Sequence, residues 1–328
     1  NEEITFNAFP AAMTPDLKGL HYITSANQVQ LDRHNKSPGI QNGGTMFSYS
    51  PFAVYRCCQH NISHGWPYYA EELWLATHDR GLCASLYAAS EVSAKVGDGT
   101  TVKIIEQTDY PFSDTIALKL LAPKAVTFPL YLRIPGWCRD AAVKINGAAV
   151  VSKAAPRSYL VLNRAWKDGD TVTLQLPMKV VVRQWAANKN SVSVDYGPLS
   201  FSLAIQEKWE RYGDNAQWPE WEVFPASEWN YGLVLDANEP AAAFQVVSKP
   251  GALPSQPFTP DTAPIQIKAK ARKIPGWTTD RLNMVGLLQP SPAKTDQPIE
   301  TITLIPMGAA RLRIASFPTV TAGAEGHE

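Results

Sequence analysis

The sequence predicts a mainly β protein, in which a short helical segment is followed by two antiparallel β-sandwich domains. From Gly81 onward, stretches such as "TTVKIIEQ" and "DTVTLQLP" alternate apolar with polar residues, as a strand with one buried face does. Turn signals, among them Gly97–Gly99 and Asn146-Gly147, separate these stretches at a spacing typical of a sandwich. A second set of such stretches begins near Ser191 and continues to about Pro318.

Helical periodicity dominates before Gly81. The first residues, "NEEITFNAFPAA", read as the end of a helix that Pro10 closes. For a second helix, Ser63 is the predicted cap and Pro67 lies in the first turn. Its apolar residues recur at three- and four-residue steps: Trp66, Ala70, Leu73 and Trp74.

Composition excludes several kinds of partner. The 328-residue chain carries 30 Lys and Arg against 30 Asp and Glu, so its formal net charge is zero. It has no basic tract of the kind that binds nucleic acid. No apolar run approaches the length needed to cross a membrane, so we expect no membrane partner either. The chain starts at Asn1 with no signal peptide before it, which leaves a processed chain or a fragment of a longer protein.

The four cysteines are too few for a disulfide scaffold. Cys57 and Cys58 are adjacent, and neighbouring cysteines rarely bond to each other because the geometry is strained. The pair therefore fits a metal site, a nucleophile, or two half-disulfides to distant partners. A helix is predicted after them, and its N–H groups and dipole favour a thiolate. Cys83 and Cys138 lie beside apolar runs, where we expect ordinary buried thiols.

Four tryptophans crowd the stretch "WERYGDNAQWPEWEVFPASEWNYGL". Aromatic faces stack on sugar rings, but they also cover the edges of loop-rich domains. We favour packing for each of them, namely Trp209, Trp218, Trp221 and Trp229. We likewise expect His60 and His64 to be exposed polar side chains rather than substrate contacts.

Seven motifs follow one another along nearly the whole chain: "YRCCQHN", "GWPYYAEELWLAT", "TDYPF", "LYLRIPGW", "VKINGAAV", "SVSVDYGPLSFSL" and "ETITLIPMGAARLRIASFP". The first contains a Cys-Cys-x-x-Asn element formed by Cys57, Cys58 and Asn61. Taken together and in this order, the motifs resemble glycoside hydrolase family 127, the β-L-arabinofuranosidase-like group.

The resemblance implies an architecture of an N-terminal (α/α)6 barrel that carries the active site, followed by two β-sandwiches. Residues 1–80 would then be the C-terminal end of the barrel and carry the Cys-Cys motif. Residues 81–185 would be the middle sandwich and residues 186–328 the C-terminal one. Because about eighty residues cannot close a ring of helices, we expect a fragment or one chain of a cleaved protein. The upstream barrel would be its partner.

The resemblance also implies a retaining hydrolase of an oligosaccharide or glycan, with a β-L-arabinofuranoside as the expected substrate class. Cys57 would be the nucleophile and a zinc ligand, and Cys58 a second zinc ligand. Tyr22, in "LHYITSANQV", resembles the tyrosine that approaches the nucleophile at the substrate site. Zinc lowers the pKa of a thiol and fixes its sulfur, so this chemistry is coherent. The acid/base glutamate and the other zinc ligands are expected upstream of this chain, and no motif assigns a role to Glu2 or Glu3.

Two other functions stay open from the sequence. The sandwiches could form a non-catalytic module that binds glycan or supports a barrel, which the tryptophan-rich stretch favours and the cysteine pair does not. Alternatively, the two cysteines could hold zinc in a purely structural knot. If the chain is instead part of the hydrolase, we expect no useful hydrolysis by this chain alone, because the acid/base glutamate and two of the proposed zinc ligands would be missing.

Overall fold

The computed structural model describes residues 1–36, 46–52, 56–151 and 154–321, and they form a mainly β structure with a few short helices, as predicted. The helices are α1 (Glu2–Phe6), α2 (Ala8–Ala11), α3 (Arg56–Ile62) and α4 (Gly65–Glu71), with 3-10 turns at Ala186–Asn188, Pro240–Ala243 and Met307–Ala309. The strands are β1 (Asn27–Gln28), β2 (Trp74–Ala76), β3 (Leu82–Ala84), β4 (Ser90–Val96), β5 (Thr100–Gln107), β6 (Thr115–Leu121), β7 (Val126–Ile134), β8 (Ala142–Ile145), β9 (Ala148–Ala149), β10 (Ser158–Trp166), β11 (Thr171–Gln175), β12 (Val180–Trp185), β13 (Ser191–Tyr196), β14 (Leu199–Leu203), β15 (Glu207–Tyr212), β16 (Glu220–Pro225), β17 (Tyr231–Val234), β18 (Phe244–Ser248), β19 (Ile265–Lys273), β20 (Ile299–Pro306), β21 (Arg313–Ile314) and β22 (Thr319–Val320). No helix in the described part of the chain is long and apolar enough to span a membrane.

The chain divides into two compact units. The first unit contains residues 1–2 and 64–179, and the second contains residues 3–63 and 180–328. In the first unit, a four-stranded sheet has the order β10-β7-β3-β2 and a six-stranded sheet the order β4-β5-β6-β11-β8-β9. The pairing is antiparallel apart from β3 with β7. Fully buried side chains such as Trp166 and Phe128 form part of its core.

The second unit is organised around an eight-stranded sheet. Its order is β12-β13-β14-β20-β19-β17-β22, and β18 also pairs with β19. Along β19 the buried positions are Ile265, Ile267, Ala269 and Ala271, which is the period of two that the sequence predicts. Two short ribbons, β1 with β21 and β15 with β16, complete the unit.

The predicted hairpin at Asn146-Gly147 is present between β8 and β9. Both residues have positive φ, 52° and 81°, as the turn that joins two tightly connected strands requires. The buried thiols are also as expected, since Cys83 and Cys138 are both buried and free.

The helical prediction around the cysteine pair needs two corrections. Cys57 and Cys58 do not precede a helix but lie in the first turn of α3. Ser63 does not cap the next helix: His64 holds that position without a side-chain bond, and the Ser63 hydroxyl donates to the His60 carbonyl at 3.1 Å. A serine can hydrogen-bond backward as well as forward, so residue type alone does not fix which helix end it serves.

A buried carboxyl interrupts the apolar face of β5 in the first unit. Val102, Ile104 and Glu106 alternate along the strand and are all buried. The Ser90 hydroxyl donates to Glu106 Oε2 at 3.2 Å. Burial disfavours the ionised carboxylate and raises the pKa of Glu106 to about 8. The group is therefore protonated at neutral pH in the folded protein.

Replacing Glu106 with Gln should flatten the pH dependence of stability. A carboxyl whose pKa rises on folding contributes stability that is complete below its unfolded pKa and lost as pH rises through the folded one. Raising the pH from about 5.5 to 8.5 should therefore lower the wild-type free energy of unfolding by on the order of 3 kcal/mol more than that of Glu106→Gln. Urea unfolding at both pH values measures this.

Glu91→Gln, an exposed position on the paired strand β4, is the matched control and should follow the wild type. Equal pH slopes for wild type and Glu106→Gln would contradict the account.

Candidate active site

The segment that carries Tyr22 is held by backbone hydrogen bonds inside the second unit. The amide N–H groups of Tyr22 and Ile23 both donate to the Met46 carbonyl, at 2.9 and 3.0 Å. One residue earlier, the His21 N–H donates to the Ala12 carbonyl at 3.0 Å. Tyr22 thus lies in an irregular but fully tethered stretch just before β1, and its half-buried side chain can be directed at a neighbour.

Helix α3 presents the two cysteines. Cys57 is exposed and Cys58 is partly buried, and both are free thiols. Asn61 lies one turn later, and its side-chain amide donates to the Cys57 carbonyl at 2.7 Å. The four-residue spacing of the Cys-Cys-x-x-Asn element therefore has a local structural reason, since residues i and i+4 meet on one helix face. The Gln59 amide also donates to the Pro51 carbonyl and ties α3 to the preceding segment.

The hydroxyl of Tyr22 lies 3.7 Å from the sulfur of Cys57. This contact lowers the pKa of Cys57, because an O–H donor stabilises the thiolate more than the thiol. Conversely, the hydrogen bond and the nearby sulfur charges raise the pKa of Tyr22 to about 12. The tyrosine therefore stays protonated at neutral pH and can donate to the Cys57 thiolate. The structure thus brings together the predicted nucleophile and the tyrosine predicted to approach it.

Cys58 differs from Cys57 although the two are adjacent. Partial burial raises the pKa of Cys58, and the negative charge on Cys57 raises it further. Of the two sulfurs, Cys57 is thus both the more exposed and the more readily ionised. This is the ordering expected of a nucleophile with a less reactive neighbour.

The two thiols alone are too few ligands for a zinc site. Thiolate sulfur is a preferred zinc ligand, so the donor chemistry of Cys57 and Cys58 fits zinc. Within the part of the chain that the structure describes, no third His, Cys, Asp or Glu joins them. Zinc sites in proteins normally use three or four protein ligands. The pair would therefore fit zinc only if one or two further ligands were supplied.

The tryptophan-rich stretch mostly packs against other aromatic rings. Trp209 stacks on Tyr49 at a centroid distance of 5.5 Å, and Trp221 meets Trp209 edge-on at 6.0 Å. Trp229 meets Trp277 edge-on at 5.4 Å. These three contacts fit the packing interpretation.

Trp218 is the exception, because its side chain is 42% exposed. The Lys18 ammonium lies 5.9 Å from the centre of its ring. His60 and His64 are both exposed, as expected.

Two buried arginines near the C-terminal end went unnoticed in the sequence, and the side chain of one of them, Arg313, bonds to the segment that follows Tyr22. Arg311 and Arg313 have no exposed surface. The signal was present in "GAARLRIASFP", where two charged residues alternate within an otherwise apolar stretch. Charged side chains on a buried strand face are rare and usually have a specific partner.

Comparison with known proteins shows that solved structures share this fold. Three of them illustrate the likeness, and the chain spans less than half of each. One is described as a glycoside hydrolase, with a TM-score of 0.67, 20% identity, and coverage of 97% of this chain and 48% of the other. A second, Ara127N-Se, a GH127 β-L-arabinofuranosidase from Geobacillus stearothermophilus T6, has a TM-score of 0.65, 24% identity, and coverage of 96% and 44%. The GH127 β-arabinofuranosidase BT3674 has a TM-score of 0.66, 19% identity, and coverage of 97% and 45%.

A family model gives the more specific assignment. Residues 81–178 match the model described as "Beta-L-arabinofuranosidase, GH127 middle domain". No curated protein matches the chain. The resemblance to glycoside hydrolase family 127 is thus confirmed, since residues 81–178 match the model of its middle domain.

Replacing Tyr22 with Phe should make Cys57 less reactive. Loss of the hydroxyl removes the donor that stabilises the thiolate, so the pKa of Cys57 should rise and its thiolate fraction at about pH 7.5 should fall. Alkylation of reduced, chelator-treated protein by iodoacetamide, followed peptide by peptide with mass spectrometry, should slow roughly threefold at Cys57.

The matched control for this change is Tyr68→Phe, which removes the hydroxyl of an exposed tyrosine in the first unit. It should leave the alkylation rate of Cys57 unchanged. Well above the pKa of the thiol, wild type and Tyr22→Phe should react at the same rate, because both are then fully ionised. A Tyr22→Phe protein that reacts as fast as wild type at about pH 7.5 would disprove the proposed effect of the hydroxyl.

Proposed function

We propose that this chain is part of a retaining glycoside hydrolase that resembles the β-L-arabinofuranosidases, with Cys57 as its nucleophile. The observation that carries the proposal is the placement of the Tyr22 hydroxyl 3.7 Å from an exposed cysteine sulfur whose pKa it lowers. The family-127 middle domain in the same chain supports the reaction class. The substrate would be an oligosaccharide or glycan that carries an L-arabinofuranose or a related sugar.

In the proposed reaction, the Cys57 thiolate attacks the anomeric carbon of the sugar. A C–S bond forms while the bond to the leaving-group oxygen breaks, and an acid/base group supplied from outside the described residues protonates that oxygen. Water then attacks the same carbon from the opposite side of the C–S bond and gives up a proton to the acid/base group. The thiolate is released, and two inversions produce net retention. Tyr22 would favour the ionised form of the sulfur and line the place where the sugar would bind.

Zinc is the cofactor that we propose for this site. Cys57 and Cys58 would hold it, and the bound ion would keep the thiol ionised and fix the position of its sulfur. Because this pair supplies only two ligands, the chain by itself should bind zinc weakly.

We further propose that residues 1–80 are the end of an (α/α)6 barrel and that residues 81–185 and 186–328 are β-sandwich domains. The remainder of the barrel, in the same protein or in a separate chain, would be the partner that supplies the acid/base glutamate and the missing zinc ligands. On this proposal, the chain alone has no useful hydrolytic activity.

A non-catalytic glycan-binding module is the second candidate function. It is favoured by an open cavity of about 1190 Å³ in the second unit, whose lining residues include Trp209, Gln206 and Glu228. An aromatic surface flanked by carboxylates and amides suits a sugar ring. In this case Cys57 would never bond covalently to a sugar, which distinguishes the two candidates.

Cys57→Ser and Cys58→Ser should differ when the chain is part of the complete protein with its barrel. Cys57→Ser should abolish turnover, because a serine hydroxyl is far less ionised than a thiol at neutral pH. Cys58→Ser should mainly weaken zinc binding, so added zinc should restore part of its activity. Hydrolysis of an aryl arabinofuranoside across a zinc titration measures both.

A covalent trap provides the independent readout. A sugar-based electrophile should add its mass to the peptide that contains Cys57 in wild type, and to no cysteine in Cys57→Ser. Mass on Cys58, or near-normal turnover by Cys57→Ser, would overturn the assignment. Binding of glycan without any covalent label would favour the module instead.

A further inference from the structure

Two arginines are completely buried in the second unit. Arg311 and Arg313 are both 0% exposed, and neither forms an ion pair with a carboxylate among the described residues. Burying a guanidinium costs several kcal/mol unless its donors are satisfied. Burial lowers the pKa of Arg313 to about 10, so it is still charged at neutral pH. Two buried guanidinium groups in one short stretch therefore indicate that their hydrogen-bond partners have a specific role.

The partners of Arg313 lie in the segment that follows Tyr22. Its Nε donates to the Ser25 carbonyl at 2.9 Å, and one terminal nitrogen donates to the Thr24 hydroxyl. The other terminal nitrogen donates to the Ala310 carbonyl at 3.1 Å. The guanidinium therefore joins residues two and three positions after Tyr22 to the backbone just before β21. The Gln28 side-chain oxygen also accepts the Ser25 N–H, at 3.2 Å.

Arg313 also affects the residue on the other side of Tyr22. His21 is buried, and its pKa falls to about 3 because of that burial and the positive charge of Arg313, with a smaller contribution from the charge of Arg311. His21 is therefore a neutral imidazole beside a fixed cation. The charge of Arg313 thus helps to lower the pKa of the residue before Tyr22, and its hydrogen bonds hold residues that follow Tyr22.

The pairing of β1 with β21 strengthens the same connection. Gln28 of β1 is the register partner of Arg313, and Asn27 is the partner of Ile314. The Asn27 side-chain oxygen also accepts the N–H groups of Ala315 and Ser316, at 3.1 and 2.9 Å. The strand that carries Arg313 therefore holds both ends of the short stretch from Thr24 to Gln28.

Arg311 is an equally buried arginine with a different set of partners. It donates to the carbonyls of Met13 at 3.0 Å, Ala309 at 3.1 Å and Pro10 at 3.4 Å, and also to the Phe258 carbonyl. All four acceptors are backbone groups, and none lies in the stretch from Tyr22 to Gln28. Arg311 thus stabilises the same unit without holding the Tyr22 segment directly.

We propose that Arg313 is a positioning residue for the candidate active site: it fixes Thr24 and Ser25 so that the Tyr22 hydroxyl points at Cys57. Arg313 contacts neither thiol and acts only through Tyr22. The inference rests on the proposed function, because the position of Tyr22 matters for catalysis only if Cys57 is the nucleophile. The effect of Arg313 on the Tyr22 segment can be tested in this chain as it exists. If both arginines only stabilised the fold, replacing either one should have the same effect on the Tyr22 segment. Because their hydrogen-bond partners differ, we expect the effects to differ.

The test compares Arg313→Lys with Arg311→Lys in the reduced, chelator-treated chain. A lysine keeps the charge but loses the planar fork that reaches several acceptors together. Both variants should lose thermal stability. Only Arg313→Lys should speed amide hydrogen exchange in the peptide that contains Tyr22 and Ile23, and slow alkylation of Cys57 by iodoacetamide roughly threefold at about pH 7.5.

Thr24→Val keeps the inference testable if Arg313→Lys fails to fold. Thr24 is exposed, and valine removes only the hydroxyl that accepts from Arg313. Its effect on exchange and on Cys57 alkylation should be smaller but of the same sign. Unchanged exchange and alkylation in Arg313→Lys, or in Thr24→Val, would overturn the inference, as would equal changes in Arg311→Lys. Slower alkylation in Tyr22→Phe together with no effect of Arg313→Lys would reject the inference and leave the proposed function standing.

Discussion

One hydrogen bond gives two adjacent cysteines different chemistry, and the candidate active site depends on it. Adjacency alone gives no physical reason to choose between Cys57 and Cys58. The Tyr22 hydroxyl, 3.7 Å from the sulfur of Cys57, lowers the pKa of that thiol, whereas partial burial and the neighbouring charge raise the pKa of Cys58. The hydrogen bond to the sulfur of Cys57 and the partial burial of Cys58 thus make Cys57 the more reactive of the two thiols.

The arrangement requires two independently held pieces of backbone to meet. Helix α3 holds Cys57, and its Asn61 bonds the Cys57 carbonyl one turn away. The Tyr22 segment has no regular secondary structure, so hydrogen bonds from other parts of the second unit must hold it. Met46 accepts two of its N–H groups, and Arg313 joins its far end to the strand β21. In this account, the β structure of the second unit contributes to the site and does more than support it.

The sequence predicted those features that depend on local patterns. Alternation and turn signals predicted a mainly β chain, and the Asn146-Gly147 hairpin followed from two residue types that accept positive φ. Local patterns misplaced the helix boundary at Ser63, because a hydroxyl can serve either neighbouring helix. They also gave no warning of the buried carboxyl of Glu106, which occupies an inward position of β5 that the alternation assigns to an apolar side chain.

The candidate site was predictable only in part, and for a different reason. Cys57, Cys58 and Tyr22 came from a resemblance between motifs, which names residues but supplies no distances. The contribution of Arg313 was out of reach because its partners Thr24 and Ser25 lie nearly the whole chain away in sequence. Contacts over such separations arise from tertiary structure, and no periodicity within a strand or helix encodes them.

The most direct test of the central claim is a competition between the two adjacent thiols in the unchanged chain. The reduced, metal-free protein would be treated with less than one equivalent of iodoacetamide at about pH 7.5, and fragmentation of the peptide would locate the label. The account predicts that the label appears first on Cys57, with Cys58 lagging and the buried thiols of Cys83 and Cys138 essentially unlabelled. Equal labelling of the adjacent pair, or label first on Cys58, would contradict it.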